Sequence, residues 1–182
     1  MQVIAGSAKG RKLKSVPGQT TRPILDRVKT ALFDILRPGL AGIRVLDLFA
    51  GSGSVGIEAL SQGAGECTFI DVEKRAIDTI RENLKITDLA GRAEVRHLDA
   101  FLFLRKCEVE FDLVYVAPPQ YVNLWVEAMH CIAERPAVVA AGGQVIVQID
   151  PKEYEKLSLD AFEEQRQKRY GNTLLVFFGR KR

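Results

Sequence analysis

An α/β fold, built on a doubly wound and mostly parallel seven-stranded sheet, is predicted for this chain of 182 residues by three observations. Short apolar runs alternate with segments whose apolar residues recur at helical spacing, and strands separated by helices favour a parallel sheet covered on both faces. One of those runs, Val45-Leu46-Asp47, ends on an acid and breaks through Leu48-Phe49 into the turn Ala50-Gly51-Ser52-Gly53-Ser54-Val55-Gly56, as a buried strand does when it feeds a helix past a ligand. The last two runs lie either side of Gly171-Asn172 and read instead as an antiparallel hairpin.

The elements follow in order. Val3-Ile4-Ala5 and Arg11-Lys12-Leu13 flank Gly6-Ser7-Ala8-Lys9-Gly10, a short hairpin with a basic outer face, and a turn follows at Pro17-Gly18-Gln19-Thr20. From Ile24 the apolar positions Val28, Leu32, Ile35 and Leu36 predict a helix that stops at Pro38-Gly39 and carries Arg27 and Lys29 on its polar side. Strands are then expected at 43–48, 67–71, 93–97, 111–116 and 143–149, with helices at 54–62, 74–86, 99–106 and 122–134 between them. The closing hairpin is expected at 162–170 and 173–179. This divides the chain into a basic hairpin-and-helix extension over 1–40 and an α/β domain over 41–182.

Composition narrows the class. With 47% apolar residues the chain is long enough for one packed core and short for two. No signal-peptide pattern or membrane-length apolar run occurs, so a cytoplasmic, monomeric protein is expected. Cys67, Cys107 and Cys131 are odd in number and far apart, which favours small core residues over disulfides, and with His97 and His130 they offer no metal-ligand spacing. Charge is uneven: residues 1–44 hold nine Lys or Arg against Asp26 and Asp34, a balance of +7, which leaves −4 for the remainder of a chain of net +3. Arg166, Lys168, Arg169 and Arg180-Lys181-Arg182 make a second basic group. Basic ends on an acidic domain point to a polyanion partner.

Gly51, Gly53 and Gly56 satisfy G-x-G-x-x-G, and Asp71 lies twenty residues past Gly51, so a dinucleotide site is one candidate. Asp47 argues against it, because a carboxylate at the strand end repels a pyrophosphate on the helix N-terminus and attracts a cation. S-adenosylmethionine carries an ammonium and a sulfonium and no phosphate, and suits these charges better. Ligands of such sheets bind at the carboxyl ends of the strands. There Asp71 offers two acceptor oxygens for ribose hydroxyls and Asp99 an acceptor for an adenine amine, while Val72 and Ala100 offer apolar walls or backbone donors. Helix capping is the competing role for both acids.

The residues also resemble a known family. Ile4-Ala5-Gly6 with Gly10-Arg11-Lys12-Leu13, Thr21-Arg22-Pro23 with Asp26-Arg27-Val28-Lys29 and Ala31-Leu32-Phe33, Asp47 to Gly53, and Pro118-Pro119 are similar to segments of the RsmD family of small-subunit ribosomal RNA guanine-N2 methyltransferases. The resemblance covers nearly the whole chain. It implies a Rossmann-like class I methyltransferase fold, S-adenosylmethionine as cofactor, and ribosomal RNA or a small-subunit assembly intermediate as partner. It further implies that Asp47, Phe49, Gly51 and Gly53 hold the methionine end, Asp71 the ribose, and Asp99 with Ala100 the adenine. Arg11, Lys12, Arg22 and Arg27 would face the RNA.

One loop departs from the family. Its pattern is Asp or Asn, Pro-Pro, then Tyr or Phe, whereas this chain reads Ala117-Pro118-Pro119-Gln120-Tyr121. An exocyclic amine has its lone pair delocalised into the ring, and acceptors that hold its protons localise that pair for attack on a methyl group. Ala117 removes the side-chain acceptor. Either Gln120 supplies the missing carbonyl and Tyr121 the aromatic face for the flipped base, or the chain binds RNA without catalysing transfer.

Overall fold

The computed structural model describes residues 1–19 and 23–182. Alternating burial sets the elements. The first helix, α1 (Asp26–Leu36), buries Val28, Leu32, Phe33 and Leu36 on one stripe. Then follow β1 (Arg44–Asp47), α2 (Ser54–Ser61), β2 (Glu66–Asp71), α3 (Lys74–Thr87), β3 (Ala93–His97), α4 (Ala100–Lys106), β4 (Phe111–Val116), α5 (Leu124–Glu134), β5 (Val139–Ile149), β6 (Phe162–Tyr170) and β7 (Thr173–Arg180). They form one seven-stranded sheet in the order β3-β2-β1-β4-β5-β7-β6. β1 to β5 run parallel, and β7 and β6 add antiparallel at one edge. The winding reverses between β1 and β4, so the crevice for a ligand opens at their carboxyl ends.

Two apolar layers cover the sheet. One joins α1, α2, α3 and the first residues of the chain through Val3, Leu13, Val28, Leu32, Ile57, Phe69 and Ile80; the other joins α4 and α5 through Phe101, Leu104, Trp125 and Met129. Residues 1–40 thus share a core with the sheet. The first hairpin closes on one bridge, Gln2 to Lys12, and clasps α2. Ile4 and Ala5 N–H donate to the Glu58 carboxylate, and Ser7 and Ala8 N–H donate to the Ser61 carbonyl and hydroxyl. A side chain at Gly6 would collide with the Ser61 carbonyl at 1.8 Å, so only glycine permits this approach.

Two expectations change. β5 begins at Val139 rather than 143, with a register shift in which Phe111 pairs with Val139 and Leu113 with Gln144. Gly142 at φ 77° and Gly143 carry the bulge, and glycines inside a strand obscure its start. Lys29 is not on a polar face. It is fully buried, with its ammonium 3.4 Å from Glu58, and donates to the Gln2 carbonyl (2.7 Å) and the Ser54 hydroxyl (3.0 Å).

Gly56 is where α2 presses on β2. A β-carbon there would sit 2.3 Å from the Phe69 ring and 2.7 Å from Cys67 Sγ. Gly56→Ala is therefore expected to cost about 1–3 kcal/mol by forcing the helix off the sheet. Urea denaturation checks it, and an unshifted midpoint would contradict the packing.

Candidate cofactor and methyl-transfer site

The cavity at the switch point has a volume of about 530 Å³. Its floor is the turn after β1. Leu48 N–H donates to Tyr115 O on β4 (3.1 Å), Ala50 N–H to Ile70 O on β2 (2.9 Å), and Gly53 N–H back to Ala50 O (2.8 Å), so the turn is stitched to both neighbouring strands. Gly51 and Gly53 adopt φ of 57° and 80°, a left-handed path that glycine follows without strain. Asn83 on α3, itself fully buried, fixes the turn from behind, donating to the Ser52 carbonyl (2.9 Å) and exchanging two bonds with the backbone of Lys14. Met1, Ser15, Val16, Gln19, Pro23 and Ile24 close one wall.

The acids of the sequence reading converge here. Asp47 is 2% exposed and accepts the Gly56 N–H at 3.1 Å. Burial pushes its carboxyl up to about 7; the Gly56 bond opposes this and the charge of Asp71 adds to it. Asp71 accepts from Glu73 and Gly51 N–H, each at 2.9 Å, and burial pushes it upward against those two bonds. Asp99 accepts from Leu102 N–H at 2.9 Å and caps α4 while lining the cavity, so capping and lining coexist. Glu73 is a fourth carboxylate on the wall. No lysine, arginine or histidine is found among the described lining residues. Phe49, Val72, Ala100 and Phe101 supply apolar surface, with Phe49 and Phe101 meeting edge to face at 6.2 Å.

This chemistry fits S-adenosylmethionine. A carboxylate buried against its own ionisation, with one N–H for company among the described residues, is a receptor for a cation. The other two strand-end acids keep acceptor capacity for hydroxyl and amine donors. A pyrophosphate would meet four carboxylates and no described cationic side chain.

At the opposite wall, Ala117, Pro118, Pro119 and Gln120 line the cavity with Leu124, Tyr115 and Gln148. Tyr121 is 64% exposed, has a φ of 63°, and is held outward: its N–H donates to Glu153 (2.7 Å) and its hydroxyl to Asp150 (2.8 Å). The loop thus directs Gln120 to the cavity and the Tyr121 phenol to the end of β5. Gln148 and Tyr115 were missed by the sequence reading; the Tyr115 hydroxyl donates to Gln148 Oε1. An isolated glutamine in an apolar strand was the signal available for it.

The basic residues separate. Arg27 is exposed, and a side chain at Gly171 in the β6–β7 turn would approach its guanidinium to 3.4 Å, so α1 and that turn meet, with Arg27 three residues past Ile24 of the cavity wall. Arg11 donates to the Ile86 carbonyl in the last turn of α3, and Lys12 is exposed beside it. Ile86 lies one turn past Asn83, which braces the cavity floor, and neither Arg11 nor Lys12 is among the described lining residues. Arg22 lies outside the described residues.

Comparison with known proteins agrees with this architecture. A family model described as "Conserved hypothetical protein 95" matches residues 1–179. The YlbH protein of Bacillus subtilis is 40% identical over 153 residues, 82% of this chain and 83% of its own length. Ribosomal RNA small subunit methyltransferase D of Haemophilus influenzae is 36% identical over 137 residues, 74% of this chain and 71% of that protein. The solved structure of yhhF from Escherichia coli superposes with a TM-score of 0.88 at 29% identity, covering 100% of this chain and 98% of that one.

Proposed function

Because this chain belongs to the conserved hypothetical protein 95 family, the RsmD family, we propose that it transfers a methyl group from S-adenosylmethionine to the exocyclic N2 amine of a guanine in small-subunit ribosomal RNA. The observation that carries the reading is a cavity lined by four acids and no described cationic side chain, opening beside a Pro-Pro loop at the switch point of the sheet. When bound, the cofactor supplies an electrophilic methyl group on a sulfonium. Asp47 would hold the ammonium of its methionine end over Gly51 and Gly53, with Phe49 alongside. Asp71 would accept from the ribose hydroxyls beside Val72, and Asp99 with Ala100 would take the adenine.

Pro118 and Pro119 fix the backbone that meets the base, since each ring locks φ. A carbonyl held there accepts one amine proton and turns the nitrogen lone pair toward the methyl carbon. Gln120 reaches the same rim from the loop, and Tyr121 would offer its ring to the flipped base after leaving Asp150. Arg27 would meet phosphates at the mouth. Arg11 and Lys12, off the cavity wall beside the last turn of α3, would meet flanking RNA rather than the target nucleotide. The enzyme would act as a monomer on free RNA or on an assembly intermediate.

The test is tritium transfer from labelled S-adenosylmethionine to small-subunit ribosomal RNA transcribed in vitro, followed by nucleoside analysis. Label is expected in N2-methylguanosine, with RNA binding that weakens steeply as salt rises. No transfer to that RNA, with S-adenosylhomocysteine still bound, would overturn the activity. Ala117 and the outward Tyr121 favour one second reading, an RNA-binding protein that keeps the pocket without transferring. Salt-sensitive RNA binding with no label would support it.

A further inference from the structure

We propose that Gln148 supplies the side-chain acceptor that Ala117 lacks, so that the amine-holding carbonyl of this site comes from β5 rather than from the loop after β4. The inference rests on the transfer activity proposed above. In the parallel pairing of β4 with β5, Tyr115 stands beside Ile146 and Val116 beside Val147. One residue further the same register sets Ala117 beside Gln148. Paired residues of neighbouring strands share a face, and residues two apart on one strand share it too. Tyr115, Ile146 and Ala117 all pack into the apolar layer under α1, α2 and α3, so Gln148 projects on the side where an acid or amide at 117 would project. Both Ala117 and Gln148 line the cavity.

Gln148 is also held. Its Oε1 accepts the hydroxyl of Tyr115, whose phenol is 2% exposed and anchored in the core. A carbonyl oxygen has two lone pairs, and one remains for an amine proton. Burial and the nearby charge of Asp47 push the Tyr115 phenol well above its ordinary range, so it stays a neutral donor at any working pH. Gln120, by contrast, sits exposed on the rim, three residues past Ala117. A half-buried amide fixed by a second hydrogen bond is the better-positioned acceptor.

The chemistry closes with these groups. The amine nitrogen gives its lone pair to the methyl carbon, the carbon–sulfur bonding pair remains on sulfur as a neutral thioether, and one amine proton leaves to water. Gln148 holds an amine proton in the plane that aims the lone pair, and takes no proton itself. Tyr115 is a positioning residue that acts through Gln148.

The experiment compares wild type, Gln148→Leu, Ala117→Asn and Ala117→Asn/Gln148→Leu, using in-vitro-transcribed small-subunit ribosomal RNA and tritiated S-adenosylmethionine. S-adenosylhomocysteine affinity by calorimetry and the melting temperature are measured on each. Gln148→Leu is expected to lower kcat about 10²-fold, the scale of a lost orienting contact, with KM for RNA and affinity for S-adenosylhomocysteine within about twofold of wild type. Adding Ala117→Asn to Gln148→Leu is expected to recover at least about tenfold of that loss. Tyr115→Phe should lower kcat in the Ala117 protein and have little effect once Ala117→Asn is present. An unchanged kcat in Gln148→Leu overturns the role, as does a loss of kcat matched by lost cofactor affinity or melting temperature. A wild type that transfers no label to RNA overturns the proposed activity, and this role with it. An active wild type with an equally active Gln148→Leu overturns only the role.

Discussion

Asp47→Asn is expected to make the ligand-free protein more stable at pH 8 than the wild type, while weakening its binding of S-adenosylmethionine by at least about 10²-fold. Both effects have one cause. Burial raises the Asp47 carboxyl to about 7 from an ordinary 3.8, because the Gly56 N–H does not repay the lost water and Asp71 adds a like charge. Between those two values the folded protein holds a proton that the unfolded chain has released. Stability contributed at this site therefore falls as pH rises from about 4 to about 7, by up to about 1.4 kcal/mol per unit, and is flat above. Asparagine keeps an acceptor for Gly56 and carries no charge, so the mutant lacks that slope. Melting curves of the two proteins should coincide near pH 4 and separate progressively toward pH 7, with the mutant higher.

Binding runs the other way. A charge-assisted bond to an ammonium is worth about 1.5–3 kcal/mol more than nothing, before the Coulomb attraction of a buried pair is added. Wild-type affinity should rise toward pH 7 as Asp47 ionises, then fall above about 8 as the α-amino group of the ligand loses its proton. The mutant should show only the second limb. Calorimetry from pH 5.5 to 9 measures both. A mutant that melts with the wild type at pH 8 and binds equally well would remove Asp47 from the site.

That pairing of function with instability explains why the acids were legible in the sequence and other parts of the site were not. Asp47, Asp71 and Asp99 each end or follow a short apolar run, and in a parallel sheet that position alone brings them to one crevice. The alternation of period two and period 3.6 was strong enough to place every strand and helix, save where Gly142 and Gly143 hid the start of β5. Asn83 and Gln148 act through partners distant in sequence. Asn83 binds Lys14 and Ser52 across 69 and 31 residues, and Gln148 meets Tyr115 across 33. For Gln148 the local signal is only a glutamine in an apolar strand, and nothing local names the partner of either residue. For Tyr121 the sequence supplied the ring but not its direction, which a φ of 63° and bonds to Asp150 and Glu153 determine.

Lys29→Met is expected to destabilise the protein by about 3–5 kcal/mol, where a lysine on a solvated helix face would change stability by about 0.5 kcal/mol or less. Lys29 and Glu58 have no exposed side-chain surface. Glu58 accepts the N–H groups of Ile4 and Ala5 and the Gln62 amide, so its carboxyl group is held in place whether or not the lysine is present. Removing the ammonium leaves that carboxylate buried and unpaired, and takes the donor from the Gln2 carbonyl and the Ser54 hydroxyl. Burial already holds the Lys29 ammonium below its ordinary range against the charge of Glu58 and their hydrogen bond, which shows how costly the ion is without its partner. Coupling is the sharper test. If the loss comes from the orphaned charge, Lys29→Met should cost at least about 1 kcal/mol less in a Glu58→Gln background than alone. The damage should also reach the cavity, because Ser54 opens α2 directly after the glycine turn and Gln2 follows Met1, whose sulfur accepts from Ser52 on the cavity wall at 3.6 Å. S-adenosylhomocysteine affinity measured well below the melting transition is therefore expected to fall with Lys29→Met. Urea midpoints of the four proteins decide the matter: equal midpoints for wild type and Lys29→Met would mean that the buried pair does not tie the first hairpin and α1 to the helix that bears the cofactor turn.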